Sequence, residues 1–228
     1  MENKKALKAL LIFISYFIYS SFQTLPLKLV GIDYNNMSLN SKVIYILIYE
    51  LLYILVLIFL YRKTFIEDFK NYIKNFKKDF KKYMDYWAIA FALMIASNIL
   101  ITFILPESNA TNQEIINDLL TKVPLYIIIS SVIYAPIIEE TIFRLSLRKV
   151  FKSDTLFIII SGLVFGALHV VGSFEKWSDL IFIITYSIPG FVFAYTLVKS
   201  KNILIPISLH MFHNGFMTLL QVVLTFLL

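Results

Sequence analysis

Seven runs of apolar residues, each near the length that crosses a bilayer, leave this chain few ways to fold. They fall at about 7–27, 42–61, 85–105, 123–143, 155–171, 180–198 and 203–226. A helix needs about 20 apolar residues to cross the hydrocarbon core. The chain is 59% hydrophobic, above the roughly half found in soluble domains. The expectation is an all-α polytopic transmembrane bundle of about seven spans, forming one membrane domain. No soluble domain of useful size precedes, separates or follows the runs, and no internal repeat or low-complexity linker is evident.

Charge sets the expected orientation. Lys4, Lys5 and Lys8 precede the first run, and eight Lys and Arg residues lie in 62–82. Arg144, Arg148, Lys149 and Lys152 follow the fourth run, and Lys199 and Lys201 follow the sixth. The alternate loops, 28–41, 106–122 and 172–179, are poor in basic residues. Positive charge is retained on the cytoplasmic side, so the N-terminus is expected inside and the C-terminus outside. The net charge of +6 is therefore loop charge, with no nucleic-acid partner implied. No A-x-A-like cleavage site follows the first run, which reads as a retained span. The absence of cysteine excludes disulfides, thiolate catalysis and cysteine-bound metals. Usage rich in Lys, Ile, Asn and Phe suits an AT-rich genome, and the expected location is a bacterial cell membrane.

Residues 64–87 are a second kind of element. Phe65, Phe69, Ile73, Phe76, Phe80, Tyr83 and Trp87 recur at helical spacing with lysines between them. The pattern predicts a cytoplasmic amphipathic helix lying on membrane lipid, with a protein-binding helix as the alternative.

The polar residues inside the runs carry the functional signal, because a charge in a bilayer core costs roughly 3 kcal/mol or more. Glu140 and Arg144 are four apart and can pair on one helix face. Glu139 then points elsewhere, unneutralised. Pro136, just before them, removes a backbone donor and can kink the helix. His169 ends a run in which Gly162 and Gly166 form a small-residue face for close helix packing. In the last run His210, His213 and Asn214 stand at i, i+3 and i+4, four residues and more beyond Pro206. Each group has a bland reading: an acid–arginine clamp, a histidine satisfied between helices, a structural polar cluster. Together they contain the parts for hydrolysis by an activated water. Glutamate takes a proton, histidine orients water or binds metal, and Asn or His stabilises an oxyanion. The spacing is not H-E-x-x-H, and no serine stands out as a nucleophile with its own base.

The pattern Glu139-Glu140-x-x-x-Arg144, then Phe165 to His169, then His210 to Asn214 resembles the CPBP family of intramembrane proteases. That family includes the type II CAAX prenyl endopeptidases and bacteriocin-processing or immunity proteins. The resemblance covers about 120–228. It implies a division into 1–120, the N-terminal spans with the surface helix, and 121–228, a catalytic membrane core. Carried over by position, it makes Glu139 the base that activates water, helped by His169. His210 and Asn214 would stabilise the oxyanion, and Glu140 and Arg144 would support the site. His213 lies outside the pattern. Glu139, His169 and His210 can hold Zn²⁺ with an open position, or work without metal. The expected activity is an intramembrane endopeptidase acting on a hydrophobic peptide or small membrane protein. Two alternatives are a non-catalytic immunity or regulatory protein with the same fold, and a small transporter or proton channel.

One expectation is awkward. Glu139 lies nine residues from Arg148 and His210 nine from Lys201, about 13 Å along a helix. His169 lies 17 residues from Lys152, about 25 Å. The three meet only if the fifth span begins above the interface, tilts or bends.

Overall fold

The computed structural model describes residues 2–105, 111–172 and 176–226, and among them there is no strand. The long helices are α1 (Glu2–Ser21), α2 (Leu39–Leu60), α3 (Arg62–Ile104), α5 (Pro124–Val150), α6 (Asp154–Val171), α7 (Phe182–Ser200) and α8 (Leu204–Phe226), with a shorter α4 (Thr111–Lys122). The seven long ones stand where the seven apolar runs predict them. Among the described residues, α2, α3, α5, α6 and α7 with its preceding turn are long and apolar enough to cross a membrane. α1 and α8 are of similar length. Lys4, Lys5 and Lys8 on α1, and His210, His213, Asn214 and Gln221 on α8, make them less apolar.

Two elements differ from the sequence reading. The amphipathic segment 64–87 is not a separate surface helix: α3 runs unbroken for 43 residues. At 1.5 Å per residue that is about 64 Å, twice the hydrocarbon thickness. Neither glycine nor proline interrupts 62–104, so nothing in the sequence breaks the helix between its amphipathic and apolar halves. Half of its aromatic stripe is covered by protein rather than lipid. Tyr83 and Trp87 are buried with Phe193, Ile205 and Leu209, and Phe80 packs beside them. The Tyr72 hydroxyl meets Ser208 Oγ at 2.6 Å. Phe69 and Ile73 remain exposed. The second difference is α4, which occupies a segment read only as a loop.

The main core joins α1 and α2 to α5, α6 and α7. Ile12, Ile54, Leu57 and Tyr61 pack with Ile138, Ile142, Phe143, Phe165 and Ala194. α5 is irregular. Wide π-type turns at Ile128–Tyr134 and Glu140–Ser146 flank a short α-helical stretch that contains Pro136. Proline lacks the N–H that a regular helix needs there, and a widened turn is a common way to absorb that defect.

α6 and α7 pack very closely, as the glycine pair predicts. A Cβ at Gly166 would fall 2.7 Å from both Ile183 O and Ser187 N, and one at Gly162 2.1 Å from the Phe191 ring. Gly166→Ala should therefore force the helices apart and cost about 1–3 kcal/mol. Gly172→Ala, whose Cβ meets only Leu168 O at 3.5 Å, is the control. Thermal unfolding of the two variants in detergent should separate them; equal midpoints would refute the close-approach argument.

Candidate active site

Glu139, His169 and His210 come together from α5, α6 and α8. Glu139 Oε2 lies 4.0 Å from His169 Nε2 and 3.9 Å from His210 Nε2. That oxygen is buried and has no hydrogen-bond partner among the described residues. Two observations bear on the depths of these residues. α5 continues through Arg148 to Val150, and Arg148 donates to Phe151 O at 2.9 Å and pairs with Asp154. α5 thus ends two residues beyond Arg148 and α6 starts at Asp154, so Glu139 and His169 lie about 16 and 22 Å from the turn, half the mismatch counted from the basic residues. α8, for its part, begins inside the protein. Asn202 and Ile203 are buried, Asp68 Oδ2 on α3 accepts from Ile203 N at 2.8 Å, and Asn202 Nδ2 donates to Asp68 O at 2.8 Å. A carboxylate from another helix thus binds a free backbone donor where α8 begins.

Glu140 and Arg144 form the expected pair. Arg144 Nε lies 3.1 Å from Glu140 Oε2, both side chains fully buried. The angle is poor for a directed hydrogen bond, so this is an ion pair in character. Arg144 also donates to Gly190 O at 3.2 Å and sits 4.3 Å above the Phe165 ring. The other oxygen of Glu140 accepts from His210 Nδ1 at 2.9 Å. Glu140 therefore orients one histidine and holds one arginine, while its neighbour Glu139 stays free.

Hydrogen bonds fix the imidazole faces. His169 Nδ1 lies 2.9 Å from Phe165 O, a carbonyl that can only accept. Nδ1 is therefore protonated, and in the neutral ring Nε2 offers a lone pair toward Glu139. His210, with Nδ1–H given to Glu140, does the same. His169 stacks on Tyr186 and His210 on Phe193, at centroid distances of 5.1 and 4.8 Å. Asn214 Nδ2 donates to Ser131 O on α5 at 2.7 Å.

Glu139, His169, His210 and Asn214 border a cavity of about 310 Å³, at the small end of ligand-pocket sizes; Glu140 and Arg144 are buried behind it. Phe143, Phe165, Leu168 and Phe193 line it beside the site, Tyr16 comes from α1, and Ile116 and Leu120 come from α4. Glu139, His169 and His210 are the right donor types for zinc, yet the 3.9 and 4.0 Å separations exceed the roughly 3.4 Å edge of a tetrahedral site. Among the described residues no group of three His, Asp or Glu side chains has metal-holding geometry. A water does fit: hydrogen bonds of about 2.8 Å to two groups 4 Å apart meet at roughly a right angle.

Three contributors escaped the sequence reading. Trp87 Nε1 donates to His213 Nδ1 at 3.3 Å. Asp68 anchors the start of α8. Glu50 on α2 accepts from Ser130 Oγ on α5 at 2.8 Å. Glu50 had a visible signal, as the one acid in the apolar run 42–61. Trp87 and Asp68 had none beyond their place in an amphipathic stripe.

Residues 121–216 match the sequence profile of the Rce1-like family, described as type II CAAX prenyl endopeptidase Rce1-like. Among curated proteins, 113 residues are 34% identical to a provisionally named membrane peptidase, YdiL, of Bacillus subtilis, covering 48% of this chain and 43% of that one. The membrane-embedded CAAX protease MroQ of Staphylococcus aureus is 29% identical over 154 residues, 61% of this chain and 59% of its own. The UPF0177 protein YvdC of Lactococcus lactis is 24% identical over 139 residues, 60% and 51% of the two chains. The chain spans about half the length of the curated relatives it matches. No solved structure matches it significantly. Residues 121–216 thus resemble the Rce1-like family, in agreement with the likeness of their motifs to the CPBP proteases. The apolar helices and these relatives make the protein a membrane protein.

Proposed function

We propose that this protein is an intramembrane endopeptidase that hydrolyses a peptide bond with a water that donates one hydrogen to Glu139 and the other to the facing Nε2 of His169 or His210. The observation that carries the reading is the unpartnered Glu139 Oε2 facing two imidazole Nε2 atoms on the wall of a cavity. Glu140, by contrast, has one oxygen bonded by His210 and the other paired with Arg144. In the proposed step the water oxygen bonds to the scissile carbonyl carbon while Glu139 takes a water proton. The carbonyl electrons move to oxygen, where the Asn214 amide, its second N–H spare, can donate. The C–N bond then breaks, and the proton held by Glu139 passes to the leaving amine. His210 would bind water in this scheme; it can donate to the oxyanion, as the resemblance implies, only with both ring nitrogens protonated.

The apolar walls favour a hydrophobic or membrane-associated peptide. With the N-terminus in the cytoplasm, cleavage would fall toward the cytoplasmic side. Quantitative mass spectrometry of membrane and secreted peptides, from cells carrying wild-type or Glu139→Gln protein at matched levels, tests this. New peptide termini should appear only with the wild type. Identical peptide profiles, with any cellular phenotype kept by the variant, would move the assignment to a non-catalytic immunity or regulatory protein. The proposed step uses water alone, a reading supported by the 3.9 and 4.0 Å separations of the three side chains. Purified enzyme dialysed against a chelator should keep its cleavage rate; loss that zinc restores would put a metal in place of the proposed water-only arrangement.

A further inference from the structure

The geometry points to His213 as a further substrate-binding group, whose Nε2–H donates to the scissile carbonyl beside Asn214. This rests on the proteolytic reading above. The indole Nε1–H of Trp87 can only donate, so His213 Nδ1, 3.3 Å away, must be its acceptor. A neutral ring with an unprotonated Nδ1 carries its proton on Nε2. This is the reverse of His169 and His210, whose Nδ1 atoms face a carbonyl and a carboxylate. The two histidines nearest Glu139 thus offer lone pairs, and the third offers a fixed donor.

His213 is 8% exposed, and it borders the same cavity as Glu139, His210 and Asn214. No hydrogen bond occupies its Nε2 among the described residues. His213 lines the cavity, where a substrate carbonyl would supply an acceptor for this N–H. His213 and Asn214 are adjacent on α8, and each is braced by another helix: His213 by Trp87 of α3, Asn214 by Ser131 O of α5. Two braced donors bordering one cavity suit a developing oxyanion, since they need no reorganisation as its charge forms. α3, apart from the motif-bearing helices, thereby acts on the reaction: Trp87 is a positioning residue that sets the tautomer of His213.

The experiment has two arms. In the first, protein labelled with ¹⁵N-histidine in detergent micelles is examined by long-range ¹H–¹⁵N NMR. His213 should show the neutral Nε2–H form, and Trp87→Phe should release it to a mixture. A His213 Nδ1–H form in the wild type would overturn the proposal whatever the protein's activity. The second arm measures cleavage of a quenched fluorescent peptide carrying the site mapped with wild type and Glu139→Gln. His213→Phe should lower kcat about a hundredfold with KM little changed. His213→Gln, which keeps an N–H donor, should recover most of it. Wild-type kcat in His213→Phe would overturn the proposal. If His213→Phe fails to fold, Trp87→Phe decides: a severalfold lower kcat is expected, and an unchanged kcat overturns. Normal cleavage by Glu139→Gln would instead sink the proteolytic reading and leave the tautomer result standing.

Discussion

Arg144→Gln should destabilise the folded protein by about 3–5 kcal/mol, because it strands a carboxylate that has no water to turn to. Glu140 and Arg144 are both fully buried, 3.1 Å apart. The guanidinium also holds Gly190 O on α7 and covers the Phe165 ring on α6. Three helices therefore meet on one cation. Glu140→Gln should be similarly costly, for it strands the arginine and loosens His210 at the same time. The double variant Glu140→Gln/Arg144→Met should recover part of the loss, since removing both charges leaves neither uncompensated. Thermal unfolding in mild detergent measures all three. An Arg144→Gln protein as stable as wild type but inactive would show that the arginine serves the chemistry rather than the assembly.

The pairing of Glu140 with Arg144 was legible in the sequence because a four-residue offset places two side chains on one helix face, and the partners lie in the same helix. It survives even though the turn is widened, because both side chains are long enough to follow. The convergence of Glu139, His169 and His210 was legible as a set of residue types, but their depths seemed to disagree. Counting from Arg148 and Lys201 assumed that basic residues mark the ends of their helices. Arg148 instead sits within α5, and Lys201 begins a turn roofed by α3. Helix ends and tertiary cover are invisible to a charge count.

The amphipathic segment shows the same limit. Its stripe reads equally well as a lipid-facing or a protein-facing surface, since both partners are apolar. The decision lies in Asp68, Tyr72 and Trp87, which bond to Ile203, Ser208 and His213 more than 120 residues away. Local periodicity carries no information about such partners. It does carry the absence of a helix breaker, which is why the surface segment and the third span are one rod.

Glu139→Gln should do the opposite of Arg144→Gln, leaving the fold intact and removing the activity. No hydrogen bond among the described residues holds Oε2 of Glu139, so the neutral amide gives up no partner there. It also removes an acid from an apolar surround, and the unfolding midpoint should stay level or rise. The activity has no such tolerance. An amide cannot take the proton of the attacking water, and loss of a general base lowers the rate by about a thousandfold or more at the upper end of such effects. The loss should lie in kcat, with peptide binding to the Phe143, Phe165 and Phe193 wall retained. Two adjacent glutamates would then divide cleanly, one removable at the expense of chemistry and the other at the expense of the fold. A Glu139→Gln protein that unfolds like Glu140→Gln would mean that both acids are clamps and that the proposed water has no base.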